Sequence, residues 1–216
     1  MQLTSSSSAT TPSLLELKKL LRREQALGAV QAKGTLAKTG FADLDKALPQ
    51  AGWSAGVLEL LLDLPGHGEL SLLLPAMRQL QAEGRWIALV NPPAVPYAPG
   101  LQYAGVDLSR LVVLPNLASE QAAWASEQLL QNASCGLVLA WFNPQKAKVT
   151  QRLQLAAKAQ NNLCVLCRPL AALRQSSLAQ SRIELQAHEQ GALLRLHKLQ
   201  GELRRPEVAI QWASLE

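Results

Sequence analysis

Hydrophobic positions in the middle of the chain follow two alternating patterns. Short runs that are apolar at nearly every position predict strands covered on both faces, and they lie at residues 57–62, 85–90, 111–114, 136–141 and 163–167. Segments with helical character lie between them, at residues 70–82, 99–104, 120–131 and 147–160. Strands that alternate with helices predict an α/β fold with a mostly parallel sheet and helices on both of its faces.

The last part of the chain has a different period. Apolar and polar residues alternate over residues 181–185, 193–198 and 208–212. A period of two is typical of antiparallel strands that have one solvated face. We therefore expect these segments to form strands at an edge of the sheet.

The first residues do not belong to either pattern. Residues 1–12 are polar and serine-rich, and we expect them to be disordered. Ser13 and Glu16 then have the spacing of a capping box, which predicts the start of a helix. The following leucines recur at helical spacing opposite lysines and arginines, and three of them form a stripe: Leu14, Leu17 and Leu21.

These patterns divide the chain into four parts. Residues 13–34 are predicted to be a basic amphipathic helical arm with a linker, bounded by Gly28 and Gly34. Residues 35–200 are predicted to form the core, and residues 201–216 a C-terminal tail or edge strand. The leucine stripe could dock on this core or on a partner's groove, and the sequence leaves both open.

Composition supports a globular protein that stays in the cytoplasm. Of the 216 residues 48% are hydrophobic, which is enough for one substantial core. The longest apolar run, at residues 57–64, is too short for a membrane span and contains two acidic residues. The polar N-terminus has no apolar stretch of the kind that signal peptides contain, so we expect neither secretion nor membrane insertion.

Charge is unevenly distributed, although the net charge is only +5. Residues 1–50 carry 7 basic and 4 acidic groups (+3), residues 51–145 carry 3 and 7 (−4), and residues 146–216 carry 11 and 5 (+6). Basic ends could meet nucleic acid or an acidic protein, or could be an ordinary solvated surface. One basic cluster stands out near the C-terminus: Arg195, Lys198, Arg204 and Arg205.

We favour a protein contact for this cluster over DNA. Trp212 is the only aromatic residue near it in the sequence, so few aromatic side chains are available for stacking on bases. Weak, non-specific DNA binding through phosphates remains the alternative. The stripe Leu14, Leu17 and Leu21 and the basic cluster are therefore the predicted partner-binding residues.

The most informative motif lies around the first apolar strand. The segment at residues 39–45, the turn from Gly52 to Gly56, the strand and a glycine-containing loop resemble the entry to RecA-like ATPase cores. That resemblance implies a phosphate-binding loop in which a lysine and a hydroxyl meet the nucleotide and its metal. The matching positions here form a degenerate loop: Gly66, Gly68, Glu69, Leu70 and Ser71.

The degenerate loop argues against ATP chemistry. Glu69 stands at the lysine position, where it would repel phosphate, and Leu70 stands at the hydroxyl position, where it offers magnesium no oxygen. Trp141 occupies the strand end at which the resemblance implies an acidic residue. We therefore expect no nucleotide binding, no cofactor, no metal, no catalytic residue and no enzymatic activity. Cys164 and Cys167 form a C-x2-C pair, but they lie in an apolar run that predicts a core strand.

The chain resembles two related families, SulA cell-division inhibitors and ImuA proteins of translesion DNA synthesis. Both resemblances rest on residues 68–75, 84–90, 135–141 and 168–169. Further segments favour ImuA, at residues 39–45, 63–68, 96–99, 105–111 and 151–157.

The ImuA resemblance implies a RecA-like core with a degenerate P-loop and a helical N-terminal arm. It also implies a non-catalytic SOS accessory protein for error-prone translesion synthesis. Its partners would be an ImuB-type Y-family polymerase homologue, an error-prone replicative-type polymerase and RecA. The alternative, a SulA-like inhibitor, implies binding to the tubulin-like division protein FtsZ.

Overall fold

A computed structural model describes residues 34–199 and 206–212 of the chain. The predicted disordered segment, the helical arm with its leucine stripe, and the pair Arg204 and Arg205 lie outside the described residues. They remain predictions, as do the three boundaries that divide the sequence into four parts.

The described residues form one large sheet and a small ribbon. In chain order the strands are β1 (Thr35–Ala37), β2 (Trp53–Ser54), β3 (Gly56–Leu62), β4 (Trp86–Val90), β5 (Leu111–Leu114), β6 (Cys135–Trp141), β7 (Leu163–Pro169), β8 (Ser181–His188), β9 (Gly191–Lys198) and β10 (Glu207–Gln211). β1 and β2 pair antiparallel as the ribbon, and the other eight strands form a sheet in the order β10-β9-β8-β3-β7-β6-β4-β5. The pairings from β8 through β3, β7, β6 and β4 to β5 are parallel, whereas β8–β9 and β9–β10 are antiparallel.

Helices connect the parallel strands. They are α1 (Ala42–Ala47), α2 (Glu69–Ala82), α3 (Ala98–Tyr103), α4 (Ser119–Leu130) and α5 (Ala147–Ala159), with short 3-10 helices at Leu108–Arg110 and Leu170–Arg174. The buried residues of α2 join one apolar cluster with Leu58 and Leu60 of β3. Those of α4 and α5 join a second cluster with Val57. The two clusters therefore lie on opposite faces of the sheet, because neighbouring strand residues point to opposite faces.

Burial follows the apolar pattern of the strands. All seven residues of β3 are buried, as expected for a central parallel strand. In β10 exposed and buried residues alternate, which fits an edge strand with one solvated face. The predicted strands and helices are confirmed, with ends that shift by at most three residues. The ribbon strands β1 and β2 and the helix α1 were not predicted.

The predicted fold class is wrong. A RecA-like, mostly parallel sheet with helices on both faces was expected, but the sheet is mixed, since β9 and β10 extend it by antiparallel pairing. Helical cover is also limited, because only α2, α4 and α5 exceed six residues in the described part of the chain. The hairpin of β8 and β9 needs no helical crossover, whereas each further parallel strand would need one. At the position of the expected degenerate P-loop the chain has a loop that a buried carboxylate holds, as described below.

The helices are too short or too polar for a membrane span. Across residues 34–199 and 206–212, none combines the length and the apolar character that crossing a bilayer requires.

Candidate protein-binding surface

The loop after β3 turns sharply before α2 begins. Gly68 precedes the helix with φ 96°, in the left-handed region that favours glycine. A Cβ at this position would lie 2.9 Å from the Cβ of Ala187 and 3.1 Å from the ring of Trp212. Both the backbone angle and the space therefore require glycine, and the loop is held against the end of β8.

A buried carboxylate fixes the same loop from the inside. Glu69, the first residue of α2, is almost fully buried. Its Oε1 accepts the backbone N–H of Gly66 at 2.5 Å and the indole N–H of Trp141 at 2.9 Å. Its Oε2 is buried and has no hydrogen-bond partner among the described residues. Glu69 thus ties together the loop, the start of α2 and the end of β6.

The residues of the degenerate loop are held by contacts within the chain. Gly66 also has a positive φ, of 88°, and its N–H points to the Glu69 carboxylate. Leu70 is partly buried against the first apolar cluster, and Ser71 is half-buried in the first turn of α2. A negative side chain therefore occupies the helix N-terminus, where anions bind in other proteins. The absence of nucleotide binding remains a prediction, and the arrangement is consistent with it.

Asn91 fixes a second loop, which follows β4. Its φ of 55° ends the strand in the left-handed region, and its N–H donates to the Leu114 carbonyl at 2.7 Å. The side-chain amide donates to the Leu117 carbonyl at 2.8 Å, and its oxygen accepts the Leu117 N–H at 2.7 Å. Three hydrogen bonds thus hold the start of this loop to the segment that follows β5.

The two loops meet and expose large apolar side chains. A Cβ on Gly66 would lie 3.6 Å from Cγ of Pro93, so the loops are in close proximity. Leu64 in the first loop is 60% exposed, and Val95 and Tyr97 in the second are 91% and 75% exposed. We call Leu64, Pro93, Val95 and Tyr97 the carboxyl-edge surface, because both loops follow the carboxyl ends of parallel strands. Large exposed apolar side chains on neighbouring loops make this surface a candidate for protein binding.

Sequence reasoning missed this surface. The signal was the run of four prolines between residues 92 and 99, which interrupts the pattern of strands and helices with Val95 and Tyr97 between them. Such a run predicts a loop, and an apolar side chain on a loop has no sheet or helix of its own to cover it.

A buried ionic cluster lies on the same face of the sheet as the second apolar cluster. Glu59 of β3 accepts Nη1 of Arg168 at 2.6 Å, Nε of Arg182 at 2.8 Å and the hydroxyl of Ser177 at 2.7 Å. Nη2 of Arg182 also donates to the Ala172 carbonyl at 2.7 Å, which anchors the second 3-10 helix. The three charged groups are buried, and their hydrogen bonds make the cluster a structural element.

The three cysteines are buried thiols. Cys164 and Cys167 lie inside β7, which confirms the predicted core strand. Burial raises the pKa of Cys135 and that of Cys164 to about 12. Burial, and then the nearby Glu69 carboxylate, raises the pKa of Cys167 well above its ordinary value. All three are therefore poor nucleophiles in the folded chain.

Two of the predicted partner-binding residues lie in β9. Arg195 donates to Glu207 at 2.7 Å and to Glu184 at 2.8 Å, and these hydrogen bonds raise its pKa. Nζ of Lys198 donates to the Ala179 carbonyl at 2.7 Å. Both cations thus have partners within the chain, and a contact with another protein remains a prediction.

Comparison with known proteins corrects the predicted family. The family model described as "MT3502 N-terminal domain" matches residues 46–175, more than half of the chain. The cell division inhibitor SulA of Edwardsiella piscicida is 33% identical over 127 residues, which cover 56% of this chain and 71% of that protein. SulA of Photorhabdus laumondii is 32% identical over 114 residues, and the match spans 53% of this chain and 64% of the relative.

Among solved structures, SulA from Pseudomonas aeruginosa matches with a TM-score of 0.43 and 25% identity. The match covers 52% of this chain and 97% of that one.

The ImuA prediction is wrong, and so are the role and partners that it implied. The two relatives found by sequence are named SulA, and nothing reported for them supports an ImuA protein. A translesion scaffold that binds an ImuB-type polymerase homologue, RecA, an error-prone polymerase or DNA therefore loses its basis. The chain belongs to the MT3502 N-terminal domain family and is a relative of the SulA cell division inhibitors.

Proposed function

We propose that this chain is a cell division inhibitor of the SOS response that acts by binding the tubulin-like protein FtsZ. The observation that carries the proposal is the 33% identity to a protein named cell division inhibitor SulA, over 71% of that protein's length. The inhibitor acts by occupying a surface of its target and not by catalysis. It acts in the cytoplasm, where FtsZ assembles.

The carboxyl-edge surface is the proposed contact. It lies within residues 46–175, the part of the chain that matches the family model. Leu64, Val95 and Tyr97 are mostly exposed, while Asn91 and Glu69 hold the two loops in place. Apolar anchors on fixed loops bind at low entropic cost, because little ordering is needed on association.

Inhibition of FtsZ tests the function. Purified chain should lower GTP-dependent FtsZ polymerisation, measured by sedimentation, and its expression in a bacterium should produce filamentous cells. A chain that binds no FtsZ and leaves division unchanged would overturn the proposal.

A matched pair of substitutions tests the surface. Leu64→Asp with Val95→Asp should weaken FtsZ binding at least about tenfold, since a charge would then replace a desolvated apolar anchor. The control is Leu155→Asp on α5, where the leucine is 63% exposed, close to the 60% of Leu64. If Leu155→Asp weakens binding and the double variant does not, the chain uses another surface.

A further inference from the structure

Basic side chains lie along the same edge of the sheet as the carboxyl-edge surface. Lys146 ends the loop after β6, Lys148 lies in the first turn of α5, and Arg174 ends the 3-10 helix that follows β7. All three are exposed, and none forms an ion pair or a side-chain hydrogen bond with another of the described residues. We call Lys146, Lys148 and Arg174 the basic edge cluster.

The two segments that carry this cluster are joined through Arg168. Its Nε and Nη2 donate to Oδ1 of Asn143 at 2.9 and 2.7 Å, and Nη2 also donates to Oε1 of Gln175 at 2.7 Å. Asn143 lies three positions before Lys146, and Gln175 directly follows Arg174. One buried guanidinium therefore holds both segments, so the cations need little further ordering when a partner binds.

The basic edge cluster is continuous with the carboxyl-edge surface. The strand order places β7 and β6 between β3 and β4, whose loops carry Leu64 and Val95. The hydrogen bond from Trp141 to Glu69 also joins the end of β6 to the start of α2, directly after the loop of Leu64. A partner that sits on the carboxyl-edge surface therefore meets the cluster beside it.

The chain itself does not compensate these positive charges. The first turn of α5 contains no acidic residue, and Lys146 at its N-cap makes no capping hydrogen bond through its side chain. A helix N-terminus carries a partial positive charge, so lysines placed there are unfavourable. Asp63 is the acidic residue of the loops that follow β3, β7, β6 and β4, so three cations share one exposed carboxylate. Anionic groups from outside the chain would offset this excess.

We propose that the basic edge cluster binds an acidic segment of the protein that the carboxyl-edge surface contacts. The proposal deepens the function proposed above and rests on it for the identity of the partner, FtsZ. The cluster attracts carboxylates before the apolar contacts form, so it mainly raises the association rate. A protein is favoured over a nucleic acid because three cations neutralise few phosphates, whereas exposed apolar side chains lie beside them.

Lys148→Glu tests the cluster, with Lys158→Glu as the control. Both lysines are exposed on α5, and both changes alter the net charge equally, but Lys158 lies in the last turn. Lys148→Glu should slow association with FtsZ about threefold or more, and Lys158→Glu should leave the rate unchanged. Added salt should narrow the difference. Equal association rates for the two variants would overturn this proposal, while failure of the unaltered chain to bind FtsZ would overturn the proposed function instead.

The stability of the Lys148→Glu variant is a second measurement. It should unfold at a higher urea concentration than the unaltered chain, because a glutamate is favourable in the first turn of a helix. Slower binding by a more stable variant would separate the charge effect from misfolding. Unfolding at a lower urea concentration would show that Lys148 supports the fold, and its charge would then not be free for a partner, which would overturn the proposal.

A short glutamate peptide tests the cluster without FtsZ. It is titrated into the full chain while the backbone amides are followed by NMR, and a glutamine peptide of the same length is the control. We expect saturable shifts at Lys146, Lys148 and Arg174 with the glutamate peptide alone, and their loss in Lys148→Glu. Absent shifts, or equal shifts around Lys158, would overturn the proposal. Tighter binding of a single-stranded oligonucleotide than of the glutamate peptide would also overturn it, because the cluster would then be a nucleic-acid site.

Discussion

The indole N–H of Trp141 donates to the Glu69 carboxylate at 2.9 Å, across 72 positions of sequence. Neither residue is expected in a nucleotide-binding site, and inside the protein the two form a hydrogen bond with each other. The same Glu69 oxygen accepts the N–H of Gly66, so the loop depends on this pair. The contact places a negative charge at the start of α2 and keeps the end of β6 beside it.

Trp141→Phe should therefore destabilise the fold. The buried carboxylate loses one of its two donors, which costs about 1–3 kcal/mol in the free energy of unfolding. Urea unfolding followed by circular dichroism measures the change. The control is Trp212→Phe, which removes an indole N–H that donates to an exposed backbone carbonyl, that of His188, at 3.2 Å. If both variants lose the same free energy of unfolding, the hydrogen bond to the buried Glu69 carboxylate stabilises the fold no more than the exposed one does.

Mg-ATP should not bind to the chain. The Glu69 carboxylate occupies the helix N-terminus that a phosphate would need, and two negative groups at this point repel each other. Isothermal titration at micromolar protein concentration should give no binding heat. A saturable signal in the micromolar range would contradict the prediction.

Glu59→Ala should be among the most destabilising single changes. Its removal leaves Arg168 and Arg182 buried without their counter-charge, at a cost of roughly 3–5 kcal/mol. The measurement is again the free energy of unfolding in urea. Glu207→Ala is the control, since it breaks the partly exposed ion pair with Arg195 and should cost less than about 1 kcal/mol. A similar small loss in the free energy of unfolding for both variants would show that the buried cluster contributes little to stability.

The cysteines should react slowly and should make stability sensitive to alkali. Burial raises the pKa of Cys135 and Cys164 from 9.0 to about 12, so the folded chain keeps protons that the unfolded chain releases. Their contribution to stability is therefore complete below pH 9 and is lost as the pH rises from about 9 to about 12. A thiol reagent at pH 8 should modify these cysteines only after unfolding. Rapid modification of the native chain would show that they are accessible.

Sequence reasoning was most successful for the elements of the parallel part. Runs such as that of β3 are short, apolar at nearly every position and bounded by glycines or other turn residues, which together predict a strand buried on both faces. The ribbon of β1 and β2 escaped prediction because two or three residues are too few to show a period. The antiparallel character of the last strands was recognised, but a period of two does not show which neighbours a strand has: β8 was expected at an edge and instead pairs parallel with β3 and antiparallel with β9, which makes the sheet mixed.

The family was predicted wrongly and the carboxyl-edge surface was not predicted at all, for different reasons. Most of the segments that favoured ImuA, such as residues 63–68 and 105–111, lie inside residues 46–175. They therefore belong to the region that the family model describes and did not separate two related families. The carboxyl-edge surface depends on how Asn91 and Glu69 position two loops, and both act through partners distant in the sequence.

The cluster around Glu59 also determines strand alignment. Glu59 lies opposite Arg182 in the parallel pairing of β3 with β8. If β8 slipped by one position, Arg182 would turn toward the leucine-rich face and Ile183 would replace it beside the carboxylate. Such a slip would leave the Arg182 charge in an apolar layer and would remove one counter-ion from Glu59, and both effects are unfavourable. Glu59 thus reinforces the alignment of β3 with β8 that the apolar residues Ile183 and Leu185 also favour.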